Sequence, residues 1–405
     1  MVLITKRMTL TLTSTAHAIN DGNTILLPVI YAYMASTFDL STFMIGILGG
    51  IFWGVSALSA PVVSYMADRS HNSIRIMGFG ILVWGFGLDI FGISILYFNA
   101  NLLIIIASVI ITGFAFAFYH PLGGTAVSQM YGGNAGAALG LNGSMGSVGR
   151  ALYPSILIIL FEFLGNTNSS MGLAIFIISL ITLFNAVPSL LSKPDIHDGE
   201  PTKKAEKEMD PKVKRSLYGV ITLLTVITIF RSVFTQGVTQ FLPTLLTADL
   251  GYQYNANLGF ILTVTLAPPI LGQPMFGLLS DKFDRRLLFG ISNIGSAISI
   301  YLFLVYPTII WLISYGFFTY SLFPLMLSLI GDLVPKGNSN LASGVVWGIG
   351  SSGGGAIGPV VVGFLAGYIG LSNSLLSVAF LGFISGFLVY FIPKSEKRSK
   401  TPMFK

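Results

Sequence analysis

The chain has 405 residues, of which 53% are hydrophobic and only 9% charged, with 22 Lys and Arg against 16 Asp and Glu. A soluble domain carries about 25% charged residues, so this composition excludes a water-covered globule and requires a surface that faces lipid. The absence of cysteine excludes disulfides, thiolate metal sites and cysteine nucleophiles, and the 46 glycines suit close helix–helix approach in a membrane.

In chain order, hydropathy predicts twelve spans near 9–36, 41–66, 74–97, 102–130, 137–163, 171–192, 216–247, 256–280, 286–306, 308–334, 339–368 and 372–392. Each is long enough to cross a hydrocarbon core of about 30 Å. The first is too long, and lacks the small-residue cleavage site, of a removable signal peptide. The cations then orient the spans. Twenty of the 22 fall before span one, after each even-numbered span from two to twelve except span four, or in the tail. The turns on the other side, around Asp39, Asn99–Asn101, Gly165–Ser170, Asp249, Pro307 and Leu371–Ser374, hold none. The positive-inside rule therefore places both termini in the cytoplasm of a multi-pass protein of the cell (inner or plasma) membrane.

The polar run Lys193–Arg215 divides the spans six and six, giving an N-terminal bundle at 1–192, a cytoplasmic linker at 193–215 and a C-terminal bundle with a short tail at 216–405. The halves share punctuation. Gly46, Pro61 and Asp68 are spaced as Gly259, Pro274 and Asp281, and Asp21, Gly22 and Pro28 as Gln236, Gly237 and Pro243. Gly113 and Pro121 match Gly316 and Pro324, and Gly143, Gly149 and Pro154 match Gly348, Gly354 and Pro359. Four matches in one order point to a duplicated six-helix unit, for which transport at the interface is the expected use. The expected fold class is thus an all-α polytopic membrane protein, with twelve transmembrane helices in two pseudo-symmetric six-helix bundles.

Asp68-Arg69 and its fuller copy Gly277-Leu-Leu-Ser-Asp281-Lys282-Phe-Asp284-Arg285-Arg286 resemble the loop motif of the major facilitator superfamily. More closely, His17-Ala-Ile-Asn20-Asp21, Phe118-Tyr119-His120-Pro121, Arg231-Ser232…Gln236…Phe241-Leu242-Pro243 and Gly358-Pro359 resemble the fosmidomycin-resistance group across nearly the whole chain. Arg150 and Tyr153 depart from it, standing where that group has an apolar run. The resemblance implies a secondary active transporter that exports a small drug-like or anionic compound, with uptake of an organic acid or sugar as the alternative.

A charge inside the membrane costs about 2.5–3.5 kcal/mol on the insertion scale, which singles out the few present. Asp21 lies near the middle of span one, and His17, four residues earlier, shares its face. The pair suits proton exchange, which would place protons among the partners. The competing reading has Asp21 and Asn20 merely bonding neighbouring helices. Arg150 and Arg231 lie near the midplane, one in each half. Each could bind an anion bidentately, or Arg150 could pair with Asp21 or Asp89 and Arg231 with helix carbonyls. Asn20, Tyr119, His120, Gln236, Gln240, Phe323 and Trp347 complete the candidate substrate site. Asp68, Arg69, Asp281, Lys282 and Arg285 are expected to gate conformation at the cytoplasmic turns. Two histidines without further ligands argue against a metal site. With no nucleophile–base pair and no nucleotide loop, the expectation is a non-enzymatic monomer in the lipid bilayer, with no cofactor and no nucleic-acid partner.

Overall fold

The computed structural model describes residues 2–3, 5–69, 72–131, 135–193, 211–334, 342 and 344–394, and their side chains except at 2–3, 67–69, 135–137, 193, 211–216, 281, 323–324, 327 and 331. The linker expected at 193–215, the first residues of span eleven and the side chains of Asp68, Arg69, Asp281 and Phe323 lie outside the described residues.

Six long helices form the first half: α1 (Lys6–Thr37), α2 (Thr42–Arg69), α3 (Ser73–Tyr97), α4 (Leu102–Tyr131), α5 (Ala135–Phe163) and α6 (Asn168–Leu190). Their ends are set by local chemistry. Asn72 caps α3 by accepting from the Arg75 amide at 3.0 Å, and Thr167 and Ser170 form a reciprocal capping box at the start of α6. The tight turns use left-handed residues, with φ of 53° at Asp39, 47° at Asn99 and 59° at Asn166, a conformation that short polar side chains tolerate. Within this half α1 packs on α5, and α3 on α4 and α6.

The second half holds α7 (Pro211–Thr244), α8 (Ala256–Leu266), α9 (Pro269–Lys282), α10 (Arg285–Val305), α11 (Ile309–Tyr320), α12 (Phe323–Leu333), α13 (Gly354–Ile369) and α14 (Leu371–Leu388). Two predicted spans are broken. Span eight is α8 plus α9, parted at Pro268-Pro269, which lack N–H groups and cannot continue the ladder. Span ten is α11 plus α12, parted at Ser321–Leu322 ahead of Pro324. The glycine-rich run Val345–Gly353 winds as a π-helix into α13. Ten helical segments are long and apolar enough to cross a membrane among the described residues. α1 is not one of them, because its first half carries Thr9, Thr13, Ser14, His17, Asn20, Asp21 and Asn23, all buried.

Both described ends of the chain lie on one face. Val2–Leu3 pairs with Ser192–Lys193, and the Ile392 carbonyl accepts from Arg286 at 2.7 Å. On the opposite face the halves close against each other. There a Cβ at Gly46 would strike the Pro359 carbonyl, one at Gly363 the Thr42 carbonyl, and one at Gly259 the backbone of Ser155. Only glycine allows α2 to lie so close to α13, and α8 to α5. Ser155 and Thr263 hydroxyls add a bond of 2.7 Å, and Tyr254 donates to the Val29 carbonyl at 3.1 Å. Toward the terminal face a Cβ at Gly124, Gly140 or Gly348 would meet nothing within 4 Å.

Candidate functional site

Asp21 is the centre of the polar cluster in the N-terminal half, 3% exposed and approached by nitrogen on every side. His17 Nε2 lies 3.3 Å from Oδ2 and His120 Nε2 3.6 Å from Oδ1. The Asn20 amide donates to Oδ1 at 3.1 Å, and the Arg150 guanidinium makes a direct ion pair with Oδ2. Trp84 of α3 holds Asn20 in turn, donating to its Oδ1 at 3.1 Å. Three helices thus converge: α1 supplies the carboxylate and His17, α4 His120, and α5 Arg150.

Glycine makes the convergence possible. A Cβ at Gly149 would sit on the Ala18 carbonyl, and one at Gly146 on His17 and Asp21 themselves. The small-residue face of α5 therefore sets the depth at which Arg150 reaches α1.

The hydrogen bonds fix a tautomer. His17 Nδ1 faces the Asn142 carbonyl at 2.8 Å and the Asn142 Oδ1 at 3.1 Å, both acceptors, so Nδ1 carries a hydrogen. Nε2 is then the nitrogen that faces Asp21. Tyr119 donates to the same Asn142 Oδ1 at 2.9 Å and stacks on His17 with ring centroids 4.4 Å apart. Asn142 thereby sets both side chains. Tyr119→Phe removes one neutral hydrogen bond, and a loss of about 1 kcal/mol in thermal or denaturant unfolding is the expected outcome.

His17, Asp21 and His120 each place one ligand atom within 4.8 Å of the others. Sequence reasoning discounted a metal because the two histidines had no Cys or Glu nearby, whereas the fold brings His120 up to the His17–Asp21 pair. A cation already pairs with that carboxylate, however. The Arg150 guanidinium faces the oxygen that His17 also shares, and a divalent ion there would meet its charge.

From this cluster the contacts cross to the second half. Arg150 donates to the Ser147 hydroxyl at 2.9 Å, and its guanidinium lies 5.4 Å over the Tyr320 ring. Gln273 of α9 donates to the same Ser147 oxygen at 3.0 Å. His120 shows 37% of its side chain, although it sits deep in α4. Beside it stands an aromatic group: Phe116 is 5.0 Å from the His120 ring, and Trp53 5.1 Å from Phe116.

Arg231 is placed differently. It donates to the Thr319 carbonyl at 2.5 Å, near the broken end of α11, beside Tyr315 and Tyr320. No carboxylate lies within ion-pair distance of it among the described residues. Of the remaining candidates, Gln236 lies across Gly355 from Trp53, whereas Gln240 is 5% exposed and donates to the Ile45 carbonyl at 3.3 Å. The two glutamines are thus not equivalent, because Gln240 joins α7 to α2. Trp347 is half-buried in the π-helical run. Asp89 accepts from Ser179 of α6, away from the cluster. Among the gating candidates, Lys282 is exposed and Arg285 pairs with Asp332 at 2.6 Å, a partner that sequence reasoning missed. It also missed Trp53, Phe116, Ser147, Gln273 and Tyr320. The repeat did give Pro274, next to Gln273, and Pro324, four residues past Tyr320, as punctuation.

The family model described as Major Facilitator Superfamily matches residues 13–257 and 246–405. The chain is 22% identical over 393 residues to the fosmidomycin resistance protein of Escherichia coli (strain K12), covering 95% of this chain and 92% of that one. It is 28% identical over 156 residues to the cis,cis-muconate transport protein of Acinetobacter baylyi (strain ATCC 33305 / BD413 / ADP1), covering 37% of each. A bacterial homolog of the human lysosomal transporter Spinster, solved in an inward-facing and unoccupied conformation, superposes with a TM-score of 0.77 at 15% identity, covering 96% of both chains.

Proposed function

The chain belongs to the major facilitator superfamily and is a membrane transporter rather than an enzyme; from that premise we propose that it moves a small compound bearing an acidic group, coupled to protons, across the cell membrane. The observation that carries this reading is the unequal fate of the two membrane arginines. Arg150 is neutralised by Asp21 inside a histidine cluster, whereas among the described residues Arg231 has a backbone carbonyl and tyrosines beside it and no carboxylate. A buried charge without a counterion is costly and marks a place for a charged ligand. Arginine offers an acidic group two parallel donors.

In this scheme the proton sits between His17 Nε2 and Asp21. With it present, that contact is an attraction in either form, imidazolium to carboxylate or imidazole to carboxylic acid. With it gone, the Nε2 lone pair faces a carboxylate and the attraction is lost. The coupling is effective because the two conformations do not hold this cluster equally, a difference in affinity being what shifts a population. With both termini in the cytoplasm, as the cation pattern suggests, the face on which the halves close against each other is external.

The fosmidomycin-resistance relative supports export. A second reading, uptake, is favoured by the electrostatics, and the muconate relative supports an acidic substrate. An anion near Arg231 and Arg150 stabilises the proton on the cluster, so proton and anion then travel in the same direction. Proteoliposomes with the pH gradient set each way decide between them: accumulation with an inward proton gradient means uptake, and depletion means export.

Arg231→Gln tests the anion site itself. Loss of a charged, hydrogen-bonding donor is worth about 1.5–3 kcal/mol, so affinity for an acidic ligand is expected to fall roughly 10- to 150-fold. Calorimetry against small carboxylates and phosphonates measures it. Unchanged affinity for every acidic ligand that binds the unsubstituted protein would remove Arg231 from the site.

A further inference from the structure

We propose that Gln273 is the coupling residue that carries the state of the Asp21–Arg150 pair to the break between α11 and α12. The inference rests on the proton-coupling reading and goes beyond it by naming the path into the second half.

The break leaves carbonyls without helical donors. In an unbroken helix the Tyr320 carbonyl would accept from residue 324, but Pro324 has no N–H. Gln273 supplies the missing donor, its Nε2 lying 3.3 Å from that carbonyl. The two carbonyls before it are served in the same way, Thr319 by Arg231 and Phe318 by the Ser292 hydroxyl. Irregular backbone within a membrane persists only where such partners exist. The broken helix is therefore held by three side chains, and one of them reaches the first half.

That one is Gln273. Its Nε2 also donates to the Ser147 hydroxyl, the oxygen to which Arg150 donates at 2.9 Å. A single amide nitrogen thus touches both the acceptor that steadies Arg150 and the freed end of α11. Gln273 is 4% exposed, and a Cβ at Gly143 would occupy the space taken by its Oε1. Tyr320 closes the loop a second way, since its ring lies under Arg150 and its hydroxyl bonds Thr239 of α7 at 2.6 Å. When Asp21 gains or loses its proton, Arg150 changes its hold on the carboxylate and on Ser147. Gln273 then redistributes its donation between Ser147 and Tyr320, and the angle between α11 and α12 follows.

The chain contains no cysteine, so paired cysteines introduced for spin labels report without background. Leu141 and Leu278 are 55% and 44% exposed near the terminal face, and Ile159 and Phe260 are 54% and 57% exposed near the closed face. Distances within each pair are measured between about pH 5.5 and pH 8.5, spanning the usual histidine titration. In the otherwise unsubstituted protein the two pairs shift in opposite senses. In Gln273→Leu, close in size but unable to donate, the shift is expected to fall below about a third, because the protonated cluster no longer favours one state over the other. Ser147→Ala, which removes the shared acceptor and leaves Gln273 in place, is expected to give the same loss, and the double variant no more than either alone. Variants that titrate like the parent, or losses that add, overturn the role of Gln273 alone. A parent whose distances ignore pH overturns the proton-coupling reading and this inference together.

Discussion

Asp21→Asn is expected to abolish proton-driven transport while leaving the protein folded and able to exchange substrate across the membrane. The amide matches the carboxylate in size and keeps one acceptor oxygen for Arg150, which retains Ser147 and the Tyr320 ring as partners. It removes the charge on which the cluster depends. A proton can bias the two conformations only through a group whose charge it changes, so a loss of more than about 100-fold in proton-driven flux is expected. Exchange of labelled for unlabelled substrate needs no net proton movement and is expected to survive. The measurement pairs both fluxes with a pH-sensitive dye inside proteoliposomes. Substrate-driven proton movement at the parental rate in this variant would rule Asp21 out as the coupling group.

Gly149→Ala is expected to give a large loss of stability for a single-methyl change in the membrane core. Its Cβ would lie on the Ala18 backbone carbonyl, which cannot rotate away as a side chain could. Overpacking costs typically 1–3 kcal/mol, and a backbone obstacle puts this site at about the upper end. Relief requires α5 to back away from α1, which draws Arg150 from Asp21, so a functional defect is expected with the structural one. Gly124→Ala is the matched control. Nothing stands within 4 Å of its Cβ, and a helical Gly→Ala change there is expected to raise stability by about 0.5–1 kcal/mol. Thermal unfolding in detergent compares the two. Equal midpoints would refute the close approach of α1 and α5.

The twelve-span reading was legible because lipid imposes one requirement, apolar length, on every crossing. α1 was found from its ends and apolar second half, despite a first half rich in buried polar groups. The central pair was half legible. Asp21 and Arg150 stood out as charges in apolar surroundings, and their pairing was one of the alternatives, but nothing along the chain says that residues 129 apart face each other. Gln273 and Ser147 carried no signal, since amides and hydroxyls occur throughout these helices and only the fold selects two of them. The prolines mark the limit most clearly. Pro121 and Pro324 occupy matching repeat positions, yet α4 runs unbroken through Pro121 while the tenth span parts before Pro324. In the tenth span Ser292, Arg231 and Gln273, from three other helices, donate to the carbonyls of Phe318, Thr319 and Tyr320. Sequence supplied the breaker, and tertiary partners decided whether the helix broke.

The polar first half of α1 also bears on how the protein is made. Asp21 enters the membrane with its counter-charge still unsynthesised, 129 residues away. The insertion cost of a central carboxylate, about 2.5–3.5 kcal/mol, therefore stands until α5 arrives. The arrival of Arg150 completes the α1–α5 pair and makes it permanent. The carboxylate proposed to exchange the proton thus gains its counter-charge only once α5 has been made.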